Sequence, residues 1–227
     1  MKIRSPQWVR MSGFKLVVLW GAIVAIGWTA RLPQASDAEL VSMAKRFRFE
    51  RLVFPRLSSA ARNHRDVNPK LHNISGWISA VGAGIALSDL DGDGLSNDAC
   101  LVDPRSDEAT VTPVPGTGDR YPPFALHPDP LPYDSASMAP MGCLFVDLNE
   151  DGLTDIVVYY WGRTPVAFLR RQTASPNQVA AGSYVPQELV SGGARWYTNA
   201  GLAADLDGDG HVDLIFGNYF PDGSMVL

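Results

Sequence analysis

The chain is poor in the residues that many enzymes use for chemistry. Only two of its 227 residues are cysteine, and no C-x-x-C pattern indicates a zinc or redox site. The four histidines show no metal-ligand spacing, and neither a G-x-S-x-G motif nor a complete dinucleotide-binding glycine motif is present. These absences argue against zinc, redox, serine-hydrolase and dinucleotide chemistry, and we expect a protein that is not an enzyme.

Acidic residues are missing from the first 30 positions, although those positions carry four lysines and arginines. The rest of the chain holds 15 basic and 24 acidic residues, and the overall net charge is −5. Because phosphate groups are bound by basic surfaces, this acidic body argues against a nucleic acid partner.

The N-terminus combines a basic segment at residues 1–15 with an uncharged, mostly apolar stretch at residues 16–30. This order is typical of an export signal, either cleaved or kept as a signal anchor in the membrane, and a buried core helix is the remaining interpretation. We therefore expect the body of the protein to lie outside the cytoplasm, either secreted or attached to a membrane by its N-terminus.

Residues 31–75 form a predicted basic linker that contains one short amphipathic helix. Ser36 and Glu39 have the spacing of a capping box, and apolar residues recur at helical spacing over residues 37–48. The linker's positive charge is consistent with attraction to anionic lipids, but a solvated linker is the favoured interpretation. The basic residues that give the segment its positive charge include Lys45, Arg46, Arg48, Arg51, Arg56, Arg62 and Arg65.

Residues 76–227 have the texture of an all-β protein. Short runs rich in valine, isoleucine and aromatic residues alternate with glycine, proline and aspartate clusters, and no strong helical pattern occurs. The predicted strand runs include WISAVGAGIAL, ATVTPVP, CLFVDL, DIVVYYWG, PVAFLRR, RWYTNAGLAADL and DLIFGNYF.

Three loops in this part share the pattern D-x-[DN]-x-D-G-x-x-[DN]. They occupy residues 89–97, 147–155 and 205–213, so their first aspartates are 58 residues apart both times. A fixed period of this size indicates repeated structural units. The predicted metal ligands are Asp89, Asp91, Asp93, Leu95 and Asn97 in the first loop, Asp147, Asn149, Asp151, Leu153 and Asp155 in the second, and Asp205, Asp207, Asp209, His211 and Asp213 in the third.

The spacing of these residues suits a hard divalent cation. Side-chain oxygens at positions 1, 3 and 5 of a tight loop converge, glycine at position 6 allows the turn, and position 7 offers its backbone carbonyl. An EF-hand would carry glutamate at position 12, where these loops have Cys100, Val158 and Phe216. We therefore predict about three structural Ca²⁺ ions in loops that each precede a β-strand.

Of the two cysteines, Cys100 follows the first loop and Cys143 precedes the second. In an exported body a disulfide between them is the favoured interpretation, and two buried free thiols are the alternative.

These motifs resemble the FG-GAP (VCBS-type) repeats of integrin-α-like β-propellers, and more narrowly the cartilage acidic protein-like (ASPIC/UnbV-associated) branch. The resemblance covers roughly residues 76–227, including GAGIALSDLDGDGLSNDACLVDP and GLAADLDGDGHVDLIFGNYFPDG. It implies four-stranded blades, each with a calcium loop between two strands. The predicted fold is a partial β-propeller of about three blades, preceded by a hydrophobic helix and a short amphipathic helix.

Three blades do not close a propeller ring, which typically needs four to eight. We therefore expect an N-terminal fragment of a longer protein, or blades that another subunit completes. The predicted function is a calcium-binding adhesion or binding scaffold whose partner is a protein or glycan at the cell surface or in the matrix. A propeller-type polysaccharide lyase or hydrolase with structural calcium is the alternative.

Overall fold

The computed structural model describes residues 7–30, 35–57, 62, 64–172 and 178–227. The chain divides into two compact units, Met1–Arg51 and Leu52–Leu227. The described strands and the three acidic loops all belong to the second unit.

The N-terminal unit contains α1 (Gln7–Thr29) and α2 (Asp37–Ala44). The predicted capping box of α2 is confirmed, since the Glu39 amide donates to Ser36 Oγ and the Ser36 amide donates to the Glu39 carboxylate. The helix ends at Ala44, four residues before the predicted end, because the amides of Arg46 and Phe47 bond three residues back and tighten the last turn. Within the described ranges, no helix is long and apolar enough to cross a membrane.

The first regular structure of the second unit is helical, and part of it lies where the sequence predicted a strand. A 3₁₀ helix at Pro69–Ile74 leads into α3 (Ser75–Ala80), so the run WISAVGAGIAL is helical in its first part and forms a strand only from Ile85. Ser79 explains this difference, because its hydroxyl donates to the carbonyl of Ser75 and accepts the amide of Arg65. The local bond within the helix and the tertiary contact with Arg65 together favour a helix over the β-propensity of the run.

Three antiparallel sheets form the rest of the second unit, and in each of them strands that follow one another in sequence are neighbours. The first sheet contains β1 (Ile85–Ser88), β2 (Asp98–Asp103), β3 (Glu108–Pro113) and β4 (Phe124–Ala125). The second contains β5 (Ala139–Val146), β6 (Asp155–Trp161), β7 (Val166–Arg170) and β8 (Tyr184–Glu188), with a 3₁₀ turn at Ala181–Ser183. The third is the pair β9 (Thr198–Ala204) and β10 (Asp213–Asn218).

The sheets pack side by side around two apolar clusters. β1 and β2 contact β5 of the second sheet, and β5 and β6 contact β9 of the third. The first cluster includes Val111, Ile156 and Phe168, and the second includes Trp161 and Tyr197, all of them buried. Burial of one such side chain contributes about 1.5–3 kcal/mol. The described part of the chain is therefore mostly β, with three α-helices, and its sheets do not close into a ring.

A disulfide joins the first two sheets. Cys100 in β2 and Cys143 in β5 are bonded, which decides between the two interpretations that the sequence left open. Both residues belong to the first apolar cluster.

Arg65 lies in the core of the second unit, and its inclusion in a solvated basic linker is wrong. Its side chain is 3% exposed and forms an ion pair with Asp107. The guanidinium also donates to the backbone carbonyls of Pro104, Ser135 and Met138. A buried charge requires such partners, and here they attach residues 64–68 to the loops beside the first sheet.

Replacing Cys100 and Cys143 together by alanine should lower the free energy of unfolding by about 4 kcal/mol, because the bond spans a sequence separation of 43 residues and restricts the unfolded chain. Urea unfolding followed by fluorescence measures the change. The parent protein unfolded with a reductant is the matched control and should approach the double variant, whereas equal midpoints for oxidised parent and variant would contradict the expectation.

Candidate metal centres

Each acidic loop is the hairpin connection between the first two strands of a sheet. The first loop joins β1 to β2, the second joins β5 to β6, and the third joins β9 to β10. The loops therefore recur at equivalent places in the fold, as the 58-residue spacing predicted.

The first aspartate of each loop organises the turn. Its Oδ2 accepts the amide of the position-6 glycine at 2.8 Å in the first loop, 2.9 Å in the second and 3.0 Å in the third. The aspartate at position 5 accepts the amide of position 7 in all three loops, at 2.8–2.9 Å. Glycine suits position 6 because φ there is positive, between 81° and 91°. The aligned residues are Asp89, Asp147 and Asp205 at position 1, Asp93, Asp151 and Asp209 at position 5, and Gly94, Gly152 and Gly210 at position 6.

A further aspartate begins the strand that follows each loop. Asp155 and Asp213 accept the amides of Leu148 and Leu206, both at 3.0 Å. In the first loop the equivalent bond goes from the Leu90 amide to Asp98, at 2.6 Å, and not to Asn97. The first loop is therefore one residue longer than the nine-residue pattern predicted, and Asp98 takes the place of Asp155 and Asp213.

Asn97, the residue predicted at this place, turns its side chain toward the loop. Its Nδ2 donates to Asp93 Oδ2 at 3.0 Å. The doublet Asn97-Asp98 was visible in the sequence, but a gapless repeat pattern favoured the first of the two residues.

The described residues place three carboxylates close together at two of the loops. One triad is Asp89, Asp91 and Asp98, and the other is Asp205, Asp207 and Asp209; within each triad, one oxygen per residue lies within 4.8 Å of the others. Either triad can hold a metal ion. In the second loop, the Asn149 amide group donates to Asp151 at 3.1 Å, so an amide stands where the other loops have a carboxylate.

The pKa of Asp155 reflects both its burial and the neighbouring carboxylates of the second loop. Burial raises the pKa of its carboxyl, and the charges of Asp151 and Asp147 add to this, against the opposing effect of the amides of Arg170 and Leu148. A divalent cation among these carboxylates would favour their ionised forms.

The predicted position-7 residues Leu95, Leu153 and His211 follow the glycines, where their carbonyls can serve as ligands. The His211 ring forms an ion pair with Glu150 of the second loop, so the second and third loops are in direct contact. The hydrogen bond to Glu150 and its charge raise the pKa of His211.

One family description, the FG-GAP-like repeat, matches residues 147–216. Residues 147–216 are an FG-GAP-like repeat. The repeat runs from the start of the second acidic loop through the third loop into β10. Comparisons with curated proteins and with solved structures found no match to the chain.

Sequence reasoning missed Arg120, which lies before the FG-GAP-like repeat and enters the first loop. Its Nη1 lies 2.6 Å from Asp91 and 3.3 Å from Asp93, and its Nη2 lies 2.7 Å from Asp98. The neighbouring Tyr121 hydroxyl donates to Asp98 at 2.9 Å. Since Arg120 is 29 residues from Asp91 in sequence, no local motif could have indicated this contact.

Replacing Asp155 by asparagine should destabilise the protein by about 1–3 kcal/mol. Its two carboxylate oxygens accept the amides of Leu148 and Arg170, and an asparagine side chain can accept only one of them. Chemical denaturation in excess chelator isolates this effect from metal binding. The control is Asp119→Asn, which changes an exposed acid outside the loops. If both variants unfold at the parent midpoint, Asp155 does not stabilise the hairpin.

Proposed function

We propose that the protein is a calcium-binding, non-enzymatic scaffold that acts outside the cytoplasm and binds a protein or glycan at the cell surface or in the matrix. The main support for calcium binding is that the carboxylates of Asp205, Asp207 and Asp209 lie close together in an exposed loop of the FG-GAP-like repeat. Repeats of this family often bind calcium.

The ligand chemistry supports Ca²⁺ over other metals. Carboxylate and carbonyl oxygens are hard ligands, and Ca²⁺ accepts six to eight of them in flexible geometry. Mg²⁺ requires a stricter octahedron and keeps more of its water, so a loop rich in protein oxygens suits it less well.

The role assigned to the ion is structural. The third loop joins β9 to β10, and its carboxylates repel one another at the start of that hairpin. An ion bound to them would stabilise the connection between the two strands and would not itself contact a partner.

Exposed apolar faces support a propeller arrangement. In the third sheet Leu202 pairs with Ile215, and these side chains are 53% and 45% exposed. On β1 of the first sheet, Ile85 and Leu87 are 55% and 54% exposed. Both outer sheets thus carry apolar residues that further blades of the proposed propeller would cover.

The disulfide supports the proposed location. A bond between Cys100 and Cys143 is typical of proteins in oxidising compartments. Export through the basic and apolar N-terminus would bring the body there.

Calcium should raise the melting temperature of the parent protein by about 5–10 °C relative to excess EDTA. This range corresponds to about 2.7 kcal/mol of stabilisation at a calcium concentration 100-fold above Kd. Differential scanning calorimetry measures the shift, and Asp207→Asn should reduce it because that variant removes a carboxylate from the triad of the third loop.

The matched control is Asp222→Asn, an exposed acid beyond β10, which should keep the full calcium shift. Mg²⁺ at the same concentration should give a smaller shift than Ca²⁺. Superimposable melts of the parent protein in calcium and in EDTA would refute the proposed structural role.

A further inference from the structure

A cation from the protein itself reaches the first acidic loop. The connection between β3 and β4 carries Arg120, whose guanidinium contacts the carboxylates of Asp91, Asp93 and Asp98. It also donates to the backbone carbonyl of Asn97 at 2.8 Å. One planar group thus bonds to four residues of the loop or the strand that follows it.

The contacts are enclosed by the protein. The side chains of Arg120, Asp91 and Asp98 are 16%, 11% and 0% exposed. Carboxylates that are this buried require a charged partner or several hydrogen bonds. The guanidinium supplies the charge, and the bidentate fork of arginine suits two carboxylates at once.

The third loop is different. Asp205, Asp207 and Asp209 are exposed, and within the described residues they form no ion pair with a lysine or arginine. The two triads therefore have similar carboxylate spacing, but among the described residues only the first contacts a positively charged arginine side chain.

A metal ion and Arg120 would compete for the first loop. An ion among Asp89, Asp91 and Asp98 needs the oxygens of Asp91 and Asp98, which already contact guanidinium nitrogens at 2.6 and 2.7 Å. Two cations in one partly buried site also repel each other strongly.

We infer that Arg120 is the resident cation of the first loop, so that this loop keeps its hairpin without calcium while the third loop binds it. The inference deepens the proposed function and rests on it for the third loop only. It also revises the expected number of ions, because the three repeated loops are not equivalent.

Isothermal calorimetry with Ca²⁺ on the parent protein and on Arg120→Gln tests the inference. The variant should bind one more equivalent of calcium than the parent, because glutamine removes the positive charge and leaves the triad of Asp89, Asp91 and Asp98 free. Adding Asp91→Asn to Arg120→Gln should abolish the extra equivalent. Arg105→Gln is the matched control, since Arg105 pairs with Asp103 outside the loop and its loss should leave the stoichiometry at the parent value.

A second measurement includes an arm in the parent protein, and that arm does not depend on the stability of Arg120→Gln. Tyr121 lies against Asp98, so a Tb³⁺ ion in the first loop would be excited through that ring. In the parent background, Tyr121→Phe should leave the tyrosine-sensitised Tb³⁺ emission unchanged; in the Arg120→Gln background the same change should reduce it.

Two results would overturn the inference: equal calcium stoichiometry for parent and Arg120→Gln, or a loss of Tb³⁺ emission when Tyr121→Phe is made in the parent. Failure of the proposed function has a different signature. In that case the parent binds no calcium and Asp207→Asn changes nothing, whereas Arg120→Gln still reports on the first loop alone.

Discussion

The repulsion between carboxylates in three tight hairpins is the constraint on which the rest of the structure depends. Each hairpin connects the first two strands of a sheet, so each sheet begins beside a cluster of negative charge. Some carboxylates can be balanced by backbone amides, and the remainder need a cation. The loops look equivalent in sequence, but they differ in the cation that can balance their carboxylates.

Aspartates at different positions of the loops have different roles. The position-1 aspartates and the strand-starting aspartates accept backbone amides of their own hairpins, and these hydrogen bonds help to stabilise each turn. Asp91 and Asp207, at position 3, lie in the two triads that can hold a cation. Arg120 at the triad of the first loop and a divalent ion at the triad of the third loop would balance the same repulsion between carboxylates in two ways.

Local patterns in the sequence were enough for the features that depend on neighbouring residues. The repeated spacing located all three hairpins, and the β-type runs located most strands, because turn chemistry and strand propensity act over a few residues. Tertiary contacts decided the rest. The Arg65 amide bonds to Ser79 in α3, Arg120 reaches the first loop from the connection between β3 and β4, and the role of Asp98 is shown by the Leu90 amide that its carboxylate accepts.

Anomalous diffraction from crystals grown with calcium tests the central claim most directly. That claim is that Arg120 balances the carboxylates of the first loop and calcium balances those of the third. We predict an anomalous peak among Asp205, Asp207 and Asp209, and ordinary guanidinium density for Arg120 between Asp91 and Asp98 with no anomalous signal there. A calcium peak in the first loop with Arg120 turned away, or the absence of a peak in the third loop, would contradict the account.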